Sequence, residues 1–201
     1  MQVANKRILV VGMARSGIAA AKLLCKAGAK PILNDSKEEA AFGDAREELR
    51  ELPCQWRFGR PAMELLGEAE GVVISPGIPD TAPFVVKARE MGLEVIGELE
   101  LAYQLSQGVT VAVTGTNGKT TTVSLLGEMF KNAGRVTHVV GNIGYPYSAA
   151  GLESHPEDVL VTEVSSFQLE TIVEFHPRAA ALLNITEDHL NPMAPWRNIR
   201  G

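Results

Sequence analysis

The sequence is poor in cysteine, carries no excess of positive charge and contains no long apolar run, and each shortage closes off a class of protein. Its only two cysteines, Cys25 and Cys54, fit neither a metal nor a redox spacing. Cys25 falls within an apolar helical pattern, the setting of a reduced core residue. The net charge of -5 argues against nucleic-acid binding, which usually needs a basic face. It leaves anionic ligands open, because backbone N–H groups can hold phosphate without net charge. The opening MQVANKRILVVG has too short an apolar run for a secretion signal. Nothing approaches the ~20 apolar residues of a membrane span. The expectation is a cytoplasmic protein that touches neither membrane nor nucleic acid.

What is present is ordinary globular usage: 201 residues, 45% apolar and 21% charged, enough for one large domain or two modest ones. The first third alternates short β-branched runs with helical patterns. Strands are expected at Arg7–Val11, Pro31–Asn34, Gly71–Ile74 and Leu93–Ile96, and helices at Ser16–Ala27, Glu38–Leu52 and Pro83–Met91. That alternation implies an α/β fold, a Rossmann-like doubly wound parallel sheet with right-handed crossovers.

The first strand-to-helix turn, Gly12-Met13-Ala14-Arg15-Ser16-Gly17, lacks the second glycine of the dinucleotide fingerprint, because Ala14 stands there. Gly12 still ends a strand, and Ser16 is placed to cap the helix with Gly17 behind it, leaving open N–H groups for a phosphate. A merely tight turn is the alternative. Asp35 closes the second strand where such folds set a carboxylate beside a ligand's sugar or base. Asp35-Ser36 can equally cap the next helix. Ser75-Pro76-Gly77 follows the next strand on the carboxyl edge of the sheet, where ligands of open α/β folds bind.

A boundary is expected near Gly97, giving units 1–97 and 98–201. Glu98–Leu105 reads as a short helix leading to the strand Val109–Thr114. Then come Gly115-Thr116-Asn117-Gly118-Lys119-Thr120-Thr121 and a helix to about Ala133. Strand, glycine-rich loop, Lys-Thr and helix describe a nucleoside triphosphate cradle. Backbone N–H groups face the phosphates, Lys119 adds a point charge, and the Thr120 hydroxyl is available to Mg²⁺. Val113 stands where the general pattern has its first glycine.

TGTNGKTT at Thr114–Thr121 resembles the P-loop of the Mur ligases and their folylpolyglutamate synthase relatives. Three further stretches resemble the same family in its order: Gly141–Gly144 after a strand at Val136–Val140, Glu163–Glu170 after Val159–Thr162, and Asn184–Leu190 after Ala180–Leu183. Glu163-Val164-Ser165-Ser166-Phe167-Gln168-Leu169 looks like the members that add D-glutamate. Gly12, Ser16-Gly17, Asp35 and Ser75-Pro76-Gly77 are similar to those members' uridine-nucleotide domain.

The resemblance implies an ATP- and Mg²⁺-dependent, monomeric ligase of peptidoglycan synthesis. Its substrates would be UDP-N-acetylmuramoyl-L-alanine and D-glutamate, joined through an acyl phosphate. It implies that Gly115 to Thr121 hold ATP, that Glu163 and Thr120 serve Mg²⁺, and that His189 serves a second metal or the phosphates near it. Asn142, Ser165 and Ser166 would touch the nucleotide-sugar. His138, His155 and His176 have no partner in this reading. A dehydrogenase is disfavoured by the first loop, and a folylpolyglutamate synthase by the nucleotide domain ahead of the P-loop.

After Asn191 the expected family text, His-Gly-Thr-Met-Glu-x-Tyr and then a lysine that carries a carbamate, is replaced by Pro192–Gly201. Met193 must be encoded by ATG and Trp196 by TGG. Shifted back by one base, the codons of Pro192–Ile199 permit His-Gly-Thr-Met-Glu-Glu-Tyr. A single-base deletion near Asn191–Pro192 accounts for this; a genuine divergent tail is the rival. With a partial central domain and no third domain, the chain is expected to have little ligase activity alone. A nucleotide-sugar-binding remnant and another Mur-type ligase are the alternative readings.

Overall fold

The computed structural model describes residues 1–142 and 144–186. Within them the chain builds two parallel sheets in succession. The first contains β1 (Arg7–Val11), β2 (Lys30–Asn34), β3 (Gln55–Trp56), β4 (Gly71–Ile74) and β5 (Val95–Gly97), in the order β3-β2-β1-β4-β5. Its helices are α1 (Arg15–Lys26), α2 (Gly43–Glu48), α3 (Ala62–Leu65) and α4 (Pro83–Glu90). The strands are almost wholly apolar because both faces are covered, as a parallel sheet requires. On β1, Ile8 and Val10 pack with Leu23 and Leu24 of α1, while Leu9 and Val11 pack with Leu65 of α3 and Val85 of α4. Each fully buried Leu or Ile contributes about 2 kcal/mol. The doubly wound α/β fold expected from the alternation is therefore present.

After β5 the chain passes directly into α5 (Glu98–Leu105) and then the second sheet: β6 (Val109–Thr114), β7 (Thr137–Gly141), β8 (Val159–Glu163) and β9 (Ala179–Leu182), ordered β7-β8-β6-β9. Between these strands lie α6 (Lys119–Asn132), α7 (Tyr147–Gly151) and α8 (Ser166–Leu169). Helices α1, α5 and α7 share one core, which includes Leu23, Leu101 and the fully buried Tyr147. The Tyr147 hydroxyl shares a 2.7 Å hydrogen bond with Thr110 Oγ1, satisfying its polar end in the interior.

Several elements differ from the sequence expectation. The helix expected over Glu38–Leu52 is broken into a 3-10 turn at Glu39–Phe42 and the six-residue α2. Gly43 sits at the break; Ala45 and Leu49 are buried, Phe42 and Leu52 are half-buried against the core, and the rest of the stretch is polar or exposed. The short β3, α3, α7 and α8 carry no long period and were not expected. Cys25 is half-buried rather than a core residue, and Cys54 lies against it. His138 and His155, expected to lack partners, both meet the buried Asp158: His138 Nε2 lies 3.1 Å and His155 Nδ1 3.7 Å from its Oδ2. The backbone N–H of His155, and then His138, hold the Asp158 carboxyl below its ordinary range.

Two buried carboxyls of α5, the helix that continues directly from β5, anchor it to the loops of the second unit. Glu100 Oε2 accepts from the backbone N–H groups of Val173 (2.8 Å) and Phe175 (3.0 Å), and its Oε1 accepts from Glu174 (2.8 Å). Glu98 Oε1 accepts from the Ser148 N–H at the start of α7, at 2.7 Å. Burial pushes the Glu98 carboxyl above its ordinary value of 4.5, against the pull of Ser148. A carboxyl raised on folding gives stability that is full below its unfolded pKa and is lost as pH rises through the folded one. Glu98→Gln keeps the acceptor and removes the charge. Urea unfolding of the variant should match wild type near pH 4 and show greater stability than wild type at pH 7. Glu100→Ala, which strands three N–H groups, should lose about 3 kcal/mol in urea unfolding at pH 7.

Candidate functional site

At the carboxyl edge of the first sheet, the ends of β1, β2 and β4 bring Gly12, Asp35 and Ser75 together. Ser75 Oγ donates to the Gly12 carbonyl at 2.7 Å. Asp35 Oδ2 accepts from the Met13 N–H at 2.8 Å, and its Oδ1 accepts from the Lys37 N–H at 3.0 Å. The carboxylate thus braces the first turn and shapes its own; neither Asp35 nor Ser36 caps the helix that follows, which has Glu38 in the capping position and no side-chain cap. Ser16 is not the helix cap: α1 begins at Arg15, with Ala14 in the capping position and no side-chain cap. Gly17 is required by close approach, since a Cβ there would stand 1.9 Å from the Gly12 carbonyl oxygen. Pro76 is half-buried beside Ser75, while Ser36 and Gly77 are exposed at the rim.

The second sheet presents a denser cluster at its own carboxyl edge. The loop from Gly115 to Gly118 joins β6 to α6, and Lys119 Nζ folds over it, donating to the carbonyls of Gly115 (2.7 Å) and Thr116 (2.9 Å). N–H groups at the start of α6 have no intrahelical acceptor, as at any helix N-terminus. On the neighbouring strand the buried Glu163 accepts from Thr120 Oγ1 through Oε2 (2.9 Å) and from Asn142 Nδ2 through Oε1 (3.1 Å). Thr121 follows in the first turn of α6. Thr120, Asn142 and Glu163, quoted from three separate stretches of sequence, therefore meet around one carboxylate.

On the other side of the loop stands a pair that sequence reasoning passed over. Asn184 Oδ1 accepts from the Asn117 N–H and its Nδ2 donates to the Asn117 carbonyl, each at 2.9 Å. The Asn184 carbonyl accepts from the Thr116 N–H at 3.0 Å, and the Thr186 N–H donates to Thr116 Oγ1 at 3.0 Å. Gly115 must be glycine here: its φ is +135°, and a Cβ would lie 3.0 Å from the Asn184 carbonyl oxygen. The signal was available, since Asn184 and Thr186 close a strand in the quoted motif, but a side chain reading backbone leaves no spacing rule.

Ser165 caps α8 in a reciprocal box with Gln168, the Gln168 N–H donating to Ser165 Oγ at 3.3 Å and the Ser165 N–H to Gln168 Oε1 at 2.9 Å. Its hydroxyl is thus engaged, while Ser166 is exposed. Phe167, Gln168 and Thr171 border a narrow cleft whose far wall is Ser75, Pro76 and Gly97, so the edges of the two sheets face each other there. His189 lies outside the described residues.

The class these features define is a P-loop-type α/β unit joined behind a doubly wound one. The Mur ligase MurD-like N-terminal domain model matches residues 6–97, and the Mur ligase middle domain model matches residues 113–199. The second match runs past Asn191, where the sequence reading ends the resemblance. The UDP-N-acetylmuramoylalanine–D-glutamate ligase of Alkaliphilus oremlandii is 52% identical over 95% of this chain and 42% of its own length. That of Caldanaerobacter subterraneus is 50% identical over 98% of this chain and 44% of its own. The chain thus spans less than half the length of these curated relatives. A UDP-N-acetylmuramate:L-alanyl-gamma-D-glutamyl-meso-diaminopimelate ligase from Neisseria meningitides shares the fold, with a TM-score of 0.60 at 24% identity, over 98% of this chain and 66% of that one. The chain belongs to the Mur ligase family and carries its N-terminal and middle domains.

Gly17→Ala should test how tightly the first turn is built. With backbone directly in the path of the new methyl, the variant should lose about 2 kcal/mol or more in urea unfolding. Gly77→Ala, in open space on the same edge, should unfold like wild type.

Proposed function

We propose that the chain supplies the nucleotide-sugar and ATP sites of a ligase that joins D-glutamate to UDP-N-acetylmuramoyl-L-alanine. In this reading residues 1–97 hold the UDP-sugar and the unit from residue 98 onward holds ATP. The observation that carries the proposal is the meeting of Thr120 and Asn142 on the buried Glu163 beside a lysine-bearing phosphate loop. It is supported by close relatives that bear that ligase's name.

The uridine nucleotide would lie along the carboxyl edge of the first sheet, against Gly12, Ser16, Gly17, Asp35, Ser36 and Ser75-Pro76-Gly77. Its sugar would reach across the cleft toward Asn142, Ser165 and Ser166. Gly115 to Thr121 would cradle the triphosphate with backbone N–H groups, and Lys119 would turn from its loop carbonyls to the phosphates. Thr120 and Glu163 fit a hard cation, because both offer oxygen and lie within 2.9 Å of each other, backed by Asn142. Mg²⁺ held there would neutralise the crowded phosphate oxygens. The alanine carboxylate attacks the γ-phosphate, ADP leaves, and the D-glutamate amine displaces phosphate from the acyl phosphate. The chain's contribution is to hold the two anions in line and to exclude water between them.

Titration calorimetry on the chain tests both sites separately. Mg-ATP and UDP-N-acetylmuramoyl-L-alanine should each bind. Lys119→Ala should weaken ATP about tenfold or more while leaving the UDP-sugar unchanged. Ser75→Ala should do the reverse. Absence of binding by either ligand would overturn the reading, as would phosphate release that needs an amino acid other than D-glutamate.

A further inference from the structure

Cys25 and Cys54 lie apart from both candidate sites, and neither has a part in the proposed ligation. Cys25 sits in the last turn of α1, and Cys54 in the irregular stretch that enters β3. Although they are far apart in sequence, their Sγ atoms are 3.7 Å apart and share a hydrogen bond. Both residues are half-buried and reduced. A cleft of about 590 Å³ opens on Cys25 between Lys22 and Lys26 of α1 and the segment of Leu52 and Pro53 that leads to Cys54.

From this geometry we propose that Cys25 and Cys54 form a modification site, a dithiol that a peroxide converts into an intramolecular disulfide. The sulfurs must close from 3.7 Å to about 2.05 Å, a movement within reach of side-chain rotation because Cys54 is in no regular element. The cleft gives a small oxidant access to Cys25. The contact with Cys54 holds the Cys25 thiol below its ordinary range. Cys25 lines the cleft and Cys54 does not, so Cys25 is the sulfur that the oxidant meets first.

Its thiolate attacks one peroxide oxygen, the O–O bond breaks, and the hydroxide released takes a proton to become water. Cys54 sulfur then attacks the resulting sulfenic sulfur. The S–S bond forms, the S–O bond breaks, and the hydroxyl leaves as water with the Cys54 proton. Two thiols are oxidised by two electrons and one peroxide is reduced to two waters. The bond would fasten the end of α1 to the entry of β3, the two-residue edge strand of the first sheet.

The test is oxidation of the dilute chain with hydrogen peroxide in slight excess, followed by intact mass, thiol titration and a non-reducing peptide map. The expected product is monomeric, lacks two hydrogens and both thiols, and links the Cys25 peptide to the Cys54 peptide. Its thermal midpoint should rise by about 5–10 °C and return to the starting value with dithiothreitol. Cys54→Ser should yield a sulfenic acid at Cys25, trapped by a cyclic diketone, and no rise in midpoint. Survival of both thiols, linkage only between chains, or sulfinic acid without an internal bridge would each overturn the proposal.

Discussion

The helix that leads from the first sheet to the second, α5, carries two buried carboxyls, and it shares an apolar core with α1 and α7. Removing an ionised carboxylate from water costs several kcal/mol even after the surroundings relax, so it persists only where donors replace the water. On α5, Glu100 finds three backbone N–H groups from 173–175 and Glu98 finds that of Ser148. The donors come from opposite directions, one set beyond α8 and the other from α7. Because α5 follows β5 without a linker, whatever fixes α5 also fixes the carboxyl edge of the first sheet. Gly97, the last residue of β5, is pressed against Thr171, where a Cβ would stand 2.3 Å from Oγ1. The cleft between Ser75-Pro76 and Phe167-Gln168 is a consequence of that anchoring.

The phosphate loop is held in the same way from two sides. Toward β8, the Thr120 hydroxyl and Glu163 connect the first turn of α6 to the neighbouring strand. Toward β9, Asn184 treats the Asn117 peptide as a strand partner, accepting from its N–H and donating to its carbonyl. In the proposed ATP-binding role the loop would gain from this, because preorganised dipoles need no rearrangement when charge arrives. Lys119 takes the opposite course. Bound to two loop carbonyls, it keeps an ammonium satisfied at the place where phosphate charge would draw it away.

What could be read from the sequence was local. Buried β-branched runs such as Arg7–Val11 and Val109–Thr114 mark strands by composition, and Gly115 to Thr121 marks the loop because its glycines and Lys-Thr stand in one consecutive block. The Mur resemblance followed from such blocks. Interactions between a side chain and distant backbone leave no such trace. Glu98–Leu105 reads only as a short helix, yet Glu100 is fully buried, and its backbone partners lie more than seventy residues away. Asn184 stands in a quoted motif, but its grip on the Asn117 peptide does not show there, and no spacing rule anticipates the meeting of Cys25 with Cys54. The cap assigned to Ser16 failed for a smaller reason. The helix starts one residue earlier than its apolar period, and Gly17 must reach the Gly12 carbonyl, which fixes the turn without a hydroxyl.

Parallel sheets place every strand-to-helix turn on one edge, and this gives the two units a common logic. Gly12, Asp35 and Ser75 end three strands of one sheet; Gly115, Asn142, Glu163 and Asn184 end or follow all four of the other. Residues just past two of these strand ends, Ser75-Pro76 and Phe167-Gln168, line one narrow cleft. In the proposed ligase that arrangement answers a specific chemical problem. A carboxylate and a triphosphate repel each other, and neither would approach the other unaided in water. Anchoring the acceptor by its distant nucleotide spends binding energy far from the reacting atoms, so the carboxylate can be delivered against that repulsion. The anchoring of α5 bears on this: the helix follows β5 without a linker, and its buried carboxyls bind backbone N–H groups of the second unit.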